Sequence, residues 1–155
     1  MRNRFTLFAL VITMLVATAM SAQTNGDDVE LTRAAIQTQR QEIVAANLGL
    51  NSEESRVFWP LYQEYRDAVG RAIDTRVDLL ERFSESYETL TDGEAMSLLN
   101  EHFGFEKEML EIQTEYATKM SKVLPGRTIA RFFQIENKMD AIIHYEMAGE
   151  IPLVK

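Results

Sequence analysis

Residues 50–54 read LNSEE and residues 90–94 read LTDGE. In each, a short polar residue (Asn51, Thr91) is followed three positions later by glutamate (Glu54, Glu94). That spacing is the capping box. The cap side chain accepts from the N3 backbone N–H, and the N3 carboxylate reaches back to the cap's own N–H. Two helices are therefore expected to open at residues 52 and 92.

Outward from these two points the pattern stays helical. The helix after Asn51 is expected to run to about Glu88. The one after Thr91 should run to about Leu124, where Pro125-Gly126 breaks it. Upstream, Val29 to Asn47 forms another, with Leu31, Ala34, Ala35, Ile43, Val44 and Leu48 on its apolar side and Gly49 as the C-terminal stop. Downstream, Arg127 to Ala148 forms a fourth, ended by Gly149 and Pro152. Alternating β-branched runs are missing, and three Pro and seven Gly supply little punctuation. The fold class is all-α, with four long helices. A helix from 52 to 88 is about 55 Å long, whereas a compact domain of this size is only about 36 Å across. The arrangement is thus expected to be elongated, and such thin helical layers bury their remaining apolar face by dimerising or by holding a partner.

Before the first helix lies a different segment. Arg2 and Arg4 precede an apolar run from Phe5 to Val16, and the small residues Ala17, Ala19, Ser21 and Ala22 come after it. This is the layout of a secretory signal peptide, cleaved after Ala19, Ser21 or Ala22. The run is short for a spanning helix, which needs about 20 apolar residues. The expected organisation is a signal peptide over 1–22, a flexible lead over 23–28 and one helical domain over 29–155, with an uncleaved anchor as the alternative. Export, and no stable membrane insertion after cleavage, are expected on this basis.

The whole chain has 16 basic and 24 acidic side chains, net −8. Without the two N-terminal arginines the balance is 14 to 24, a net charge of −10. Nucleic acid, which demands a basic footprint, is not an expected partner. Basic partners or cations are permitted. No cysteine is present, so disulfides and thiolate metal sites are excluded and packing must hold the domain together.

Two readings compete for the aromatic stretch VFWPLYQEY, residues 57–65. Pro60 lies about two turns inside its helix and removes a bond to the carbonyl of Arg56, which predicts a bend. Phe58, Trp59, Tyr62 and Tyr65 gather around it. They either pack the end of a helical layer or, with Phe132, offer an apolar surface to a partner.

Polar residues inside apolar arcs are the other candidates. Arg76 stands among Phe58, Leu61, Tyr65, Val69, Ala72, Leu80 and Phe83 on its helix at 100° per residue. His102, Glu106 and Gln113 do the same on the next helix, and Glu136 on the last, among Phe132, Phe133, Met139 and Ile143. In an antiparallel hairpin turning near residues 90–91, Arg76 and Glu106 are equidistant from the turn. This predicts an ion pair or triad of Arg76, Glu106 and Glu136 that sets helix register. The alternative is a divalent-metal site, since His102 with Glu106 and Asp140 with His144 are i, i+4 pairs. No Gly-rich phosphate loop, nucleophile–base set or carboxylate pair stands out, so neither an enzymatic activity nor a cofactor is expected.

With those features in place, the chain resembles the Spy/CpxP-like (LTXXQ-motif) periplasmic proteins. LTDGE matches the pentad at Leu90 and Thr91, with Glu94 where the family has Gln. LNSEE matches at Leu50, with Asn51 for Thr and Glu54 for Gln. EESRVFWPLYQEY, residues 53–65, looks like the segment after the first pentad in relatives of that group. The resemblance implies a cradle-like four-helix hairpin arrangement, a homodimer, and a bacterial periplasmic location. It further implies an ATP-independent chaperone, an inhibitory accessory factor of envelope-stress sensing, or a metal-responsive relative. Chaperone members have a basic cradle and metal-responsive members carry His-rich ligand sets. This chain is acidic and has two histidines.

The expected function is a non-enzymatic periplasmic binding protein, chaperone-like or stress-accessory, with an unfolded or envelope protein as partner. The alternatives are metal sensing or buffering through His102, Glu106, Asp140 and His144, or a purely structural dimer.

Overall fold

The computed structural model describes residues 26–154, with side chains from residue 36. The signal peptide expected at 1–22 lies outside the described residues, as does the 23–25 part of the expected lead. Among the described residues there are four α-helices and no strand. They are α1 (Gly26–Leu48), α2 (Ser52–Ser86), α3 (Asp92–Met120) and α4 (Gly126–Glu150). The all-α class is therefore the observed one. No helix among the described residues is long and apolar enough to cross a membrane. Two units divide between Ile36 and Gln37. The first is described as helical backbone, and the core and the charged contacts belong to the second.

Several boundaries differ from the sequence reading, among them the end of α4, which runs through Gly149 to Glu150. Helix α1 begins at Gly26, so residues 26–28 of the expected lead are helical; local propensity is a weak prior at a helix start. Helix α2 ends at Ser86, two residues early. Helix α3 stops at Met120, four residues before Leu124. Pro125 disfavours helical backbone at the residue before it. The last turn accordingly tightens, with Val123 N–H and Leu124 N–H both donating to the carbonyl of Met120. Pro60 lies within an unbroken α2.

Both capping boxes are present. Asn51 Oδ1 accepts from Glu53 and Glu54 N–H at 2.9 Å each, and Glu54 Oε2 accepts from Asn51 N–H at 3.1 Å. Thr91 Oγ1 accepts from Glu94 N–H at 3.3 Å, and Glu94 Oε2 accepts from Thr91 N–H at 2.8 Å. Gly49 leaves α1 at φ +69°, the left-handed region that ends helices and that side chains with a Cβ resist.

Helices α2 and α3 form an antiparallel hairpin. Its register is set by contacts from the turn outward: Arg82 with Glu101, Arg76 over Phe105, Tyr65 against Tyr116, and Glu64 with Lys119. The core sits at the end away from the turn. Val44 and Leu48 of α1, Phe58, Tyr62, Tyr65 and Val69 of α2, Tyr116 and Met120 of α3, and Ile129, Phe132 and Met139 of α4 meet there. Phe132 anchors it, with edge-on rings of Phe58 at 5.2 Å, Tyr65 at 5.6 Å and Phe133 at 4.9 Å. Such pairs add about 0.5–1.5 kcal/mol each beyond area burial.

Candidate functional site

Four of the five residues proposed from sequence as a partner surface belong to this core. Phe58 and Phe132 are fully buried, and Tyr65 and Tyr62 are 1% and 3% exposed. They contact one another, so they are withdrawn from any partner. Trp59, half-buried against Phe58 and Tyr62 at 5.0 and 5.4 Å, keeps part of its surface open. The packing alternative describes this cluster.

The expected triad is also rearranged. Arg76 meets His144: its Nη1 lies 3.1 Å from His144 Nε2. The Arg76 guanidinium lies 5.2 Å over the Phe105 ring. Glu106 is exposed and forms no ion pair among the described residues. The cause is a register offset of one residue. Arg76 stands opposite Phe105, and the next residue on a helix points 100° away, which carries Glu106 to the outer face of α3.

Glu136 is buried as expected, but its partners come from elsewhere. Arg40 Nη1 donates to Glu136 Oε2 at 3.0 Å and Arg66 Nη1 donates to the same oxygen at 3.2 Å. Arg40 Nη2 also pairs with Asp140 Oδ1. Arg40 and Arg66 are each 7% exposed and Glu136 1%. Two guanidiniums face two carboxylates, so the cluster is neutral as a whole and joins α1, α2 and α4. Burial pushes the Glu136 carboxyl above the usual carboxylate range, and the two arginines oppose it. Burial, with the Glu136 charge second, pushes Tyr62 up to about 12, and Tyr65 shifts the same way for the same causes. Tyr62 Oη, Arg66 Nε and Glu136 Oε1 are buried without a hydrogen-bond partner among the described residues.

Arg40 and Arg66 were missed in the sequence, although a signal existed. Arg40 lies four and eight residues before Val44 and Leu48, on the buried stripe of α1. Arg66 comes four residues after Tyr62 and three before Val69, at the edge of the α2 apolar arc.

The four metal candidates are not brought together. Asp140 is engaged by Arg40, His144 faces the Arg76 guanidinium, and Glu106 points outward. No group of three or more potential ligands exists among the described residues. An open depression is lined by Gln113, Thr114, Ala117, Thr118, Ser121 and Phe133, none of them an acid or a base.

What the outer face of α3 does present is apolar surface. On α3, Met96 is 54% exposed, Leu99 41%, Phe103 58% and Leu110 63%. Their spacing continues the line of Gln113 and Ala117, positions that line the depression beside Phe133 of α4. At 100° per residue the four fall on one arc, opposite the Phe105–Tyr116 arc that packs on α2. A comparison of the chain with protein-family models, with curated proteins and with solved structures finds no match.

Proposed function

We infer that this chain is a non-enzymatic binding protein, exported to the periplasm, that acts as a chaperone-like or envelope-stress accessory factor. One observation carries the reading: large apolar residues are displayed in a line on α3, at 41–63% exposure, while an aromatic core forms farther along the same helix. A monomeric soluble protein seldom keeps such a line without a use for it. The surface that holds partners is therefore the outer face of α3, in place of the buried aromatics around Pro60. The basic–apolar–small layout of residues 1–22 supports export. The two LTXXQ-like pentads, whose caps open α2 and α3, support the accessory or chaperone class.

The test is suppression of aggregation. A chemically unfolded client diluted into buffer is expected to scatter less light with near-stoichiometric protein present. Unchanged scattering at severalfold excess removes the chaperone form of the proposal.

A further inference from the structure

The stripe Met96, Leu99, Phe103 and Leu110 has spacings of three, four and seven, the seam of a helix that pairs with another helix. The seam position between Phe103 and Leu110 is Glu106, and the position one turn before Met96 is Asp92. Both are exposed and neither forms an ion pair among the described residues. An apolar partner residue set over Glu106 would bury an unpaired carboxylate, which is strongly unfavourable. A lysine or arginine there would pair with it.

The rest of α3 points the same way. It carries seven acidic residues against Lys107 and Lys119. Both lysines are already engaged, Lys107 with Glu111 at 3.7 Å and Lys119 with Glu115 at 2.8 Å. The α3 helix of a second copy would bring its own Asp92 and Glu106 to the seam, with both of its lysines already paired. Like charges across an interface work against such a pairing.

We propose that the outer stripe of α3 receives a cationic amphipathic helix, apolar on one face with lysine or arginine positioned over Glu106 and Asp92. From Met96 to Leu110 the stripe is about 21 Å long, so the partner segment needs about four helical turns. This rests on the reading of the chain as a binding protein and adds the chemistry of what is bound.

The experiment is a fluorescence-anisotropy titration of the purified protein against a labelled 18-residue Leu/Lys amphipathic peptide, alongside its Leu/Glu counterpart. The Lys peptide is expected to bind at least tenfold more tightly than the Glu peptide. Phe103→Ser with Leu110→Ser should lower that affinity at least tenfold with helicity unchanged by circular dichroism. Glu106→Gln should lower it severalfold and flatten its salt dependence. Equal binding of the two peptides overturns the proposal. So does unchanged binding by the double variant, which would mark a diffuse attraction to an acidic protein. A dimer that the double variant converts to monomer, with peptide binding intact, assigns the stripe to a second copy and also overturns it. Aggregation suppression without Lys-peptide binding leaves the general binding reading standing and removes this one; loss of both removes both.

Discussion

The two ends of the α2–α3 hairpin are made from similar helices and end in different states. Away from the turn, Tyr65 and Tyr116 are 1% and 6% exposed, because α1 and α4 lay Val44, Leu48 and Phe132 across them. Toward the turn, Val77 and Phe103 are 43% and 58% exposed, although each belongs to an apolar set as regular as the one that is buried. Both ends carry a capping box and both are acidic on the outside. The difference lies in which face a neighbouring helix covers: Phe105, two residues from Phe103 but on the arc that packs on α2, is 5% exposed. In a long hairpin, an apolar stripe becomes core where another helix lies on it, and stays exposed where none does.

One substitution at each end tests this contrast most directly. Phe132→Ala removes the ring that four other aromatics touch and is expected to cost about 3–5 kcal/mol in urea unfolding. Phe103→Ser should stay within about 0.5 kcal/mol, as exposed positions do. Similar losses for both would mean that the turn-side stripe is covered after all.

The charge cluster at the covered end poses the same contrast in polar terms. Glu136→Gln leaves Arg66 buried without a carboxylate and is expected to cost about 3–5 kcal/mol. Replacing Arg40, Arg66 and Glu136 together by methionine should cost less than that single change, because the desolvation of all three charges disappears with them. Asp140, partly open to water, keeps its hydration in that variant. A triple variant less stable than Glu136→Gln would show that the cluster contributes net stability of its own.

The fold was legible in the sequence wherever local chemistry decides. Asn51 with Glu54, Thr91 with Glu94, Gly49 and Pro125 mark helix ends through groups within a few residues of one another. The helix class came from periodicity. The pairing of Arg76 with Glu106 is not the observed one, since it required the hairpin register to one residue. Equal distance from a turn fixes register only to about one residue, and one residue on a helix is a rotation of 100°. Glu136 was correctly read as a charge on an apolar arc, but its partners Arg40 and Arg66 lie 96 and 70 residues away in sequence. Which aromatic arc is core and which is surface was equally out of reach, because it depends on where α4 lies across the hairpin.

Tyr62 offers a smaller effect. Its hydroxyl is buried without a hydrogen-bond partner among the described residues, so Tyr62→Phe removes a polar atom that has little to lose. At neutral pH the variant should be as stable as the parent or up to about 1–2 kcal/mol more stable. At high pH the two should diverge further. The folded tyrosine ionises near 12, above its ordinary 10, so the unfolded chain releases that proton first. The stabilising share is complete below about pH 10 and is lost as pH rises toward 12. Parent stability should therefore fall by on the order of 2 kcal/mol more than that of Tyr62→Phe across this window. Parallel alkaline curves for the two proteins would show that Tyr62 does not carry this share.

The caps carry a small effect, and it separates the two ends by kind instead of by size. Asn51→Ala and Thr91→Ala each remove one cap acceptor and should each cost about 1 kcal/mol. The first opens a helix whose second turn carries Phe58, fully buried in the core, so the loss should appear in the global unfolding midpoint. The second opens a helix whose first turns carry Met96 and Leu99, both exposed. Its loss should appear mainly as faster amide exchange at Glu94 and Ala95, through local opening that leaves the core intact. Acid should narrow the difference between parent and Thr91→Ala, leaving the share of the Thr91 Oγ1 acceptor, which does not titrate. Hydrogen bonds from Thr91 hold the Glu94 carboxyl below the usual glutamate range. Its contribution is therefore present above that range and lost as pH falls through the lowered value. If Thr91→Ala shifts the global midpoint as much as Asn51→Ala does, the turn-side end unfolds together with the core, and its exposed stripe belongs to one cooperative body.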